Sequence, residues 1–228
     1  MTTCQITGWA LAVAAMALGG SRAVAAGSLF DHAVAVWHMA DERDAAGKDS
    51  RLAVRGELKL GVALEGTERE ESLRRGGDGR VAEFNGGYLD AGQGTGGELN
   101  LSGRALSMLL RLRSPSGKWG DPLFAKHGGH NTLVYNLFAT DLGRGMAFGS
   151  EIGNDAIQGM HQVQAPLEPL GPTAWHDVVV RWNDQRLEMF VDGALRDDET
   201  AVGVLRQGNV EPLLIGAESH GEGRVKGG

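Results

Sequence analysis

Two short stretches place acidic residues where a strand could present them together. "EIGND" sets Glu151 and Asp155 on either side of Gly153, and "EMFVD" sets Glu188 and Asp192 on either side of Phe190. Alternate residues of a strand share a face, so acids at i, i+2 and i+4 could supply the nucleophile and proton donor that retaining glycoside hydrolysis holds about 5 Å apart. Both stretches lack the middle carboxylate, and no catalytic residue is assigned. Serine chemistry has no support either, because no G-x-S-x-G turn occurs.

A second stretch, "KHGGHN" from Lys126 to Asn131, sets two imidazoles around two glycines. A metal reading needs further ligands at fixed spacing, and none is supplied; the plainer reading is a polar loop between strands. Sugar recognition asks for an apolar ring face beside hydrogen-bonding groups. Trp119, in a glycine-rich turn, and Tyr135, close to the histidines, offer rings, and His127, His130 and Asn131 offer polar groups. These five are the candidate ligand-facing patch. Trp37, Trp175 and Trp182 sit in alternating apolar patterns and are assigned to the core.

The elements that must position these groups are short. Val178, Val180 and Trp182 recur at every second position, as do Leu187, Met189 and Val191, with Asn183-Asp184-Gln185 between them and Asp192-Gly193 after them. That order predicts strand, turn, strand, turn. Further strands are expected at Ala33 to Trp37, Leu58 to Leu64, Val81 to Phe84, Ala105 to Leu112, Pro122 to Lys126, Leu133 to Ala139, Gly145 to Gly149, Met160 to Ala165 and Pro212 to Ile215. Thr67 followed by Glu70 fits a capping box, and Arg74, Arg75 and Gly76 suit the end of a two-turn helix. Many short strands, 36 glycines and no internal repeat point to one all-β sandwich or barrel.

With 29 acidic and 22 basic side chains among 228 residues, the chain lacks the basic surface that phosphate contacts require, which argues against nucleic acid as a partner. The apolar run Ile6 to Leu18, followed by Ala23-Val24-Ala25, reads as a signal peptide over residues 1–25, although no Lys or Arg precedes the run. The run is too short to span a bilayer, so the mature chain, residues 26–228, is expected in the periplasm or outside the cell with no membrane span. The single cysteine, Cys4, lies in the leader, so the mature chain has no thiol or disulfide.

Five segments together suggest a family. "GRVAEFNGGYLDAG" (79–92), "ALSMLLRLRSP" (105–115), "PLFAKHGG" (122–129), "WHDVVVRW" (175–182) and "LEMFVDGAL" (187–195) stand in the order and spacing of laminin-G-like domains. The chain thus resembles a concanavalin A-like jelly-roll β-sandwich. It is also similar to the N-terminal module of secreted bacterial glycoside hydrolases of the family 32 type, whose catalytic part is a five-bladed propeller. "RWNDQ" (181–185) is superficially like the Trp-Asn-Asp-Pro-Asn motif of those propellers, but it lacks the proline and the asparagine that follows. The resemblance implies a polysaccharide or glycan partner and a catalytic domain C-terminal to this one in a longer parent chain. It implies a bound Ca2+ as well, for which Asp41, Asp44 and Asp49 are the candidate ligands, against the alternative of a solvated acidic loop. Such domains close with a strand that pairs with the first one. "LLIGAESHGEGRVKGG" ends where that strand should begin, so the sandwich is expected to lack its final strand and to leave Ala33 to Trp37 as an open apolar edge. The expected function is a non-catalytic, carbohydrate-associated or adhesion module, with a jelly-roll hydrolase and a purely structural or protein-binding domain as alternatives.

Overall fold

The computed structural model describes residues 4–7, 33–45, 50–74, 77–93, 97, 99–101, 103–115, 122–127, 133–140, 145–153, 158–165, 173–206, 209–219 and 225–227. Alternation of apolar and polar residues sorts these into two stacked sheets. One sheet is built from β1 (Cys4–Thr7), β3 (Leu58–Ala63), β4 (Arg80–Phe84), β6 (Leu106–Arg113), β11 (His176–Trp182), β12 (Arg186–Val191) and β13 (Ala194–Thr200), in the order β13-β12-β11-β6-β1-β4-β3. The other uses β2 (Ala53–Arg55), β5 (Tyr88–Asp90), β7 (Phe124–His127), β8 (Leu133–Thr140), β9 (Gly145–Gly153), β10 (Gln158–Ala165) and β15 (Leu214–Ile215), in the order β10-β9-β8-β7-β15-β5-β2, with β14 (Val204–Leu205) paired to β9. A short hairpin of β16 (Ala217–Ser219) and β17 (Val225–Gly227) and a single helix α1 (Gly66–Arg74) complete the described elements.

The core lies between the sheets. Leu106, Met108, Leu110 and Leu112 of β6 face Val178, Val180 and Trp182 of β11, and Leu187, Met189 and Val191 of β12 continue the same layer. Phe124, Leu137, Phe148 and Ile152 supply the opposing layer. The two large indoles at the centre each find an acceptor: Trp37 Nε1 donates to the Ser50 carbonyl at 2.6 Å and Trp182 Nε1 to that of Ala201 at 2.7 Å. A buried N–H left unmade would be costly, so these bonds also fix the ring positions.

Turn chemistry sets the register. Asp192 and Gly193 both have positive φ, 54° and 79°, as a two-residue hairpin turn of the primed type needs. Asn183 Oδ1 accepts from the Arg186 amide at 3.0 Å and closes the preceding turn. Helix α1 begins at Gly66, just ahead of the expected Thr67, and lies against β6: Glu68 pairs with Arg113, and Glu71 approaches Arg111 at 3.2 Å. Trp175 belongs to this outer cluster and not to the core, because it precedes β11 and packs against the guanidinium groups of Arg113 and Arg111, 4.6 and 5.9 Å from its ring centre.

Two expectations are corrected here. Ala33 to Trp37 is in neither sheet; Val36 N donates to Asp44 Oδ1 at 2.8 Å and its carbonyl accepts from Ala45, so loop groups take the place of a ladder. Nor is it an open apolar edge, since Ala33, Ala35, Val36 and Trp37 are all buried. The edge that the structure does manage is β10. Its Gln162 and Gln164 amides donate to Glu199 and Asp197 of β13, each at 2.8 Å, and His161 Nδ1 lies 2.9 Å from the same Glu199. Side chains of one sheet thus satisfy the exposed backbone of the other, a familiar way of blunting an edge.

Candidate functional site: the outer face of the larger sheet

On β9 the residues alternate small and large. Met146, Phe148 and Ile152 enter the core, which leaves Gly145, Ala147, Gly149, Glu151 and Gly153 on the outer face. Cross-strand partners share that face. Gly149 pairs with Asn136 on one side and Gln162 on the other, Ala147 with Phe138 and Gln164, and Glu151 with Met160. A Cβ added at Gly149 would stand 2.9 Å from Asn136 Oδ1 and 3.6 Å from both Met160 Sδ and Phe138 Cε1, so these side chains border one shallow floor. Asn136 Oδ1 is buried and has no hydrogen-bond partner among the described residues. Met160 is 58% exposed. The face therefore combines a small-residue floor, three carboxamides, a ring and a thioether.

Glu151 is the acid on this face. It pairs with Arg206, whose amide also donates to the Glu151 carbonyl at 3.0 Å. Gly203, at φ 148°, lets β14 pass against Gly153 and so carries Arg206 into place. The other acid pair is spread over the opposite sheet. There Glu188 bonds Arg181, which holds its carboxyl below the usual range, and Asp192 accepts from the Asp177 amide and lies 2.8 Å from His176 Nδ1. The bond from Arg181 leaves Glu188 unsuited to giving up a proton near neutral pH.

The expected ligand patch is divided. Trp119, His130 and Asn131 lie outside the described residues. Tyr135 is corrected to the core: it alternates with Leu137 on the inner face, is fully buried, and donates its hydroxyl to the Leu99 carbonyl at 3.3 Å. His127 ends β7 with Nδ1 3.4 Å from Glu218 Oε2. The signal for the outer face was present in "GMAFGSEIG", whose small residues recur between large ones.

For calcium, Asp49 lies outside the described residues, and Asp41 and Asp44 border a cleft of about 280 Å³. Arg43 binds the Asp41 carboxylate and holds its pKa low, while Asp44 Oδ1 accepts from Val36. A carboxylate neutralised by a guanidinium is a poor cation ligand. Among the described residues no three His, Cys, Asp or Glu side chains are grouped to hold a metal ion.

Lys126, beside His127, is a buried cation whose Nζ donates to the Glu211 carbonyl at 2.6 Å. Burial pulls its pKa down to about 8, against the attraction of Glu211. Below pH 8 both folded and unfolded chains carry the proton and the full penalty applies. Above it the folded chain releases the proton first, so stability rises with pH until the unfolded lysine titrates near 10.5. Melting curves from pH 7 to 10 are expected to show a gain on the order of 2 kcal/mol that Lys126→Met removes. A flat wild-type profile would contradict the penalty.

Two stacked sheets with the core between them define the class, a concanavalin A-like β-sandwich. The Laminin_G_3 family, described as the concanavalin A-like lectin/glucanases superfamily, matches residues 85–228, and the chain belongs to it. Comparison with curated proteins gives no match. Among solved structures, the binding domain of Paraclostridial Mosquitocidal Protein 1 is similar at 11% identity with a TM-score of 0.55, over 76% of this chain and 41% of that one. The binding domain of Botulinum Neurotoxin DC in complex with SialylT follows at 11% identity and a TM-score of 0.48, over 77% and 41%. At 11% identity the likeness to the first of these is one of fold. The chain spans less than half the length of either neighbour. Among the described residues no helix is long and apolar enough to cross a membrane.

Proposed function

We propose that this domain is a non-catalytic carbohydrate-binding module, secreted or periplasmic, that holds a glycan on the outer face of its larger sheet. The observation that carries the reading is the floor of Ala147 and Gly149 bordered by Asn136, Gln162, Gln164, Phe138 and Met160. Sugars present C–H patches between hydroxyls, and a ring flanked by carboxamides answers both. Membership of a lectin/glucanase superfamily and the described "binding domain" of the neighbour with the higher TM-score support it. Against hydrolysis, Glu151 is paired with Arg206, and its neighbour two residues on along the same face is Gly153, which carries no acid. In a longer parent chain, such a module would hold a glycoside hydrolase to its polymer.

A glycan array combined with a hydrolysis screen tests this. Wild-type protein is expected to bind glycan without releasing reducing sugar, and Phe138→Ala to weaken binding about tenfold, the loss of roughly 1.4 kcal/mol of ring contact, with little change in melting. Unchanged binding by Phe138→Ala would remove the site. Sugar release abolished by Glu151→Gln would replace it with a hydrolase, and binding to proteins alone with an adhesion domain.

A further inference from the structure

Methionine is apolar and gains by burial, and four of the five described methionines follow that rule: Met39, Met108, Met146 and Met189 are each 2% exposed or less. Met160 breaks it at 58%. Its place on β10 explains the exposure. Val163 and Ala165 enter the core, whereas Met160 stands opposite Glu151 and shares the outer face with Gln162 and Gln164. Next to Glu151 on that face comes Gly149, and the Met160 sulfur, the Phe138 ring edge and Asn136 Oδ1 lie 3.6, 3.6 and 2.9 Å from the point its Cβ would take. Met160 is thus both open to solvent and part of the face assigned above to glycan. The strand that carries it is held independently, because the Gln162 and Gln164 amides donate to Glu199 and Asp197. A chemical change at the sulfur need not loosen β10.

We propose that Met160 is an oxidation site, at which oxidants of the peroxide class lower the affinity of the domain for glycan. A lone pair of the sulfur attacks one oxygen of hydrogen peroxide, and an S–O bond forms as the O–O bond breaks. The proton of the transferred oxygen passes to the departing hydroxide, which leaves as water. Sulfur gives up an electron pair and the peroxide takes it, so no acid or base of the protein is needed and the pairing of Glu151 with Arg206 is no obstacle. The product is a polar, chiral sulfoxide. It replaces an apolar contact for the C–H patches of a sugar by a strong acceptor. Asn136 Oδ1, buried and without a hydrogen-bond partner among the described residues, belongs to the neighbour that responds: a half-turn of the carboxamide offers its NH2 group to the sulfoxide oxygen. Oxidation thus removes apolar surface and engages a carboxamide together. The proposal rests on the glycan reading for its consequence, but not for the site of reaction.

The test treats the full chain with millimolar hydrogen peroxide at neutral pH and follows each methionine by peptide mass mapping. Met160 is expected to gain oxygen on the order of tenfold faster than Met39, Met108, Met146 or Met189, with the melting temperature unchanged. On the glycan array, binding is expected to fall about fivefold after oxidation and to return after treatment with methionine sulfoxide reductases. Met160→Leu, compared with itself before and after peroxide, should show no fall. That comparison also separates Met160 from Cys4, whose thiol meets the same oxidant. Oxidation of Met160 no faster than that of the four buried methionines overturns the proposal. So does full oxidation with unaltered binding, or a fall that persists in Met160→Leu. Wild-type protein that binds no glycan before treatment overturns both the glycan reading and the control of binding, and is told apart from the other failures because the mass mapping does not depend on it.

Discussion

Replacing Trp182 by alanine is expected to destabilise the domain by about 3–5 kcal/mol, the range for deleting a large buried aromatic. The ring is 1% exposed, and its Nε1 donates to the carbonyl of Ala201. The substitution both opens a cavity between the sheets and removes the indole donor from that carbonyl. Trp182 also closes the β11–β12 hairpin opposite Leu187 and Leu106, so the damage should spread to three strands. Urea titration measures it directly. Wild-type stability in Trp182→Ala would mean that the hairpin is not the framework of the sandwich.

Gly203→Ala is expected to cost about 4 kcal/mol, from two causes that act together. Its φ of 148° lies where side chains are rarely tolerated, and a Cβ there would stand 2.1 Å from the Gly153 carbonyl oxygen. Backbone strain of this kind accounts for about 1–3 kcal/mol, and forced displacement of a packed strand adds a similar amount. Since β14 brings Arg206 to Glu151, the variant should also disturb the outer face of β9. A drop in melting temperature accompanied by weaker glycan binding is the expected pair of results. Gly153→Ala would be a poor control, as it alters the same contact; Gly193→Ala, which keeps open space around its Cβ position, isolates the strain of positive φ alone.

The hairpin from β11 to β12 was readable because its alternation is strict and its turns carry Asn183 and Asp192-Gly193, which state their backbone geometry locally. Strand β13 was not, since "ALRDDET" alternates nothing apolar; it is a strand because β12 offers a ladder and because its acids meet β10, facts settled only by folding. Ala33 to Trp37 failed in the opposite sense. Trp37 was rightly placed in the core, but the stretch was expected as an open edge strand, and burial does not require a ladder when Asp44 and Ala45 satisfy the backbone. Tyr135 was misread from its chemistry, when its parity with Leu137 already placed it on the inner face. The outer face itself escaped notice because its defining residues are glycine and alanine, which carry no chemistry of their own and matter only for the room they leave beside Asn136 and Phe138.

The closure of β10 by Asp197 and Glu199 separates two properties that are often treated as one. Neither residue is part of the apolar core between the sheets. Both occupy backbone amides that would otherwise be offered to any passing strand. Conformational stability thus resides in Trp37, Trp182 and their neighbours, whereas colloidal behaviour resides in two carboxylates at the rim. A survey of substitutions scored by melting alone would rank those two as dispensable, and would miss the residues that keep one molecule from becoming the next strand of another.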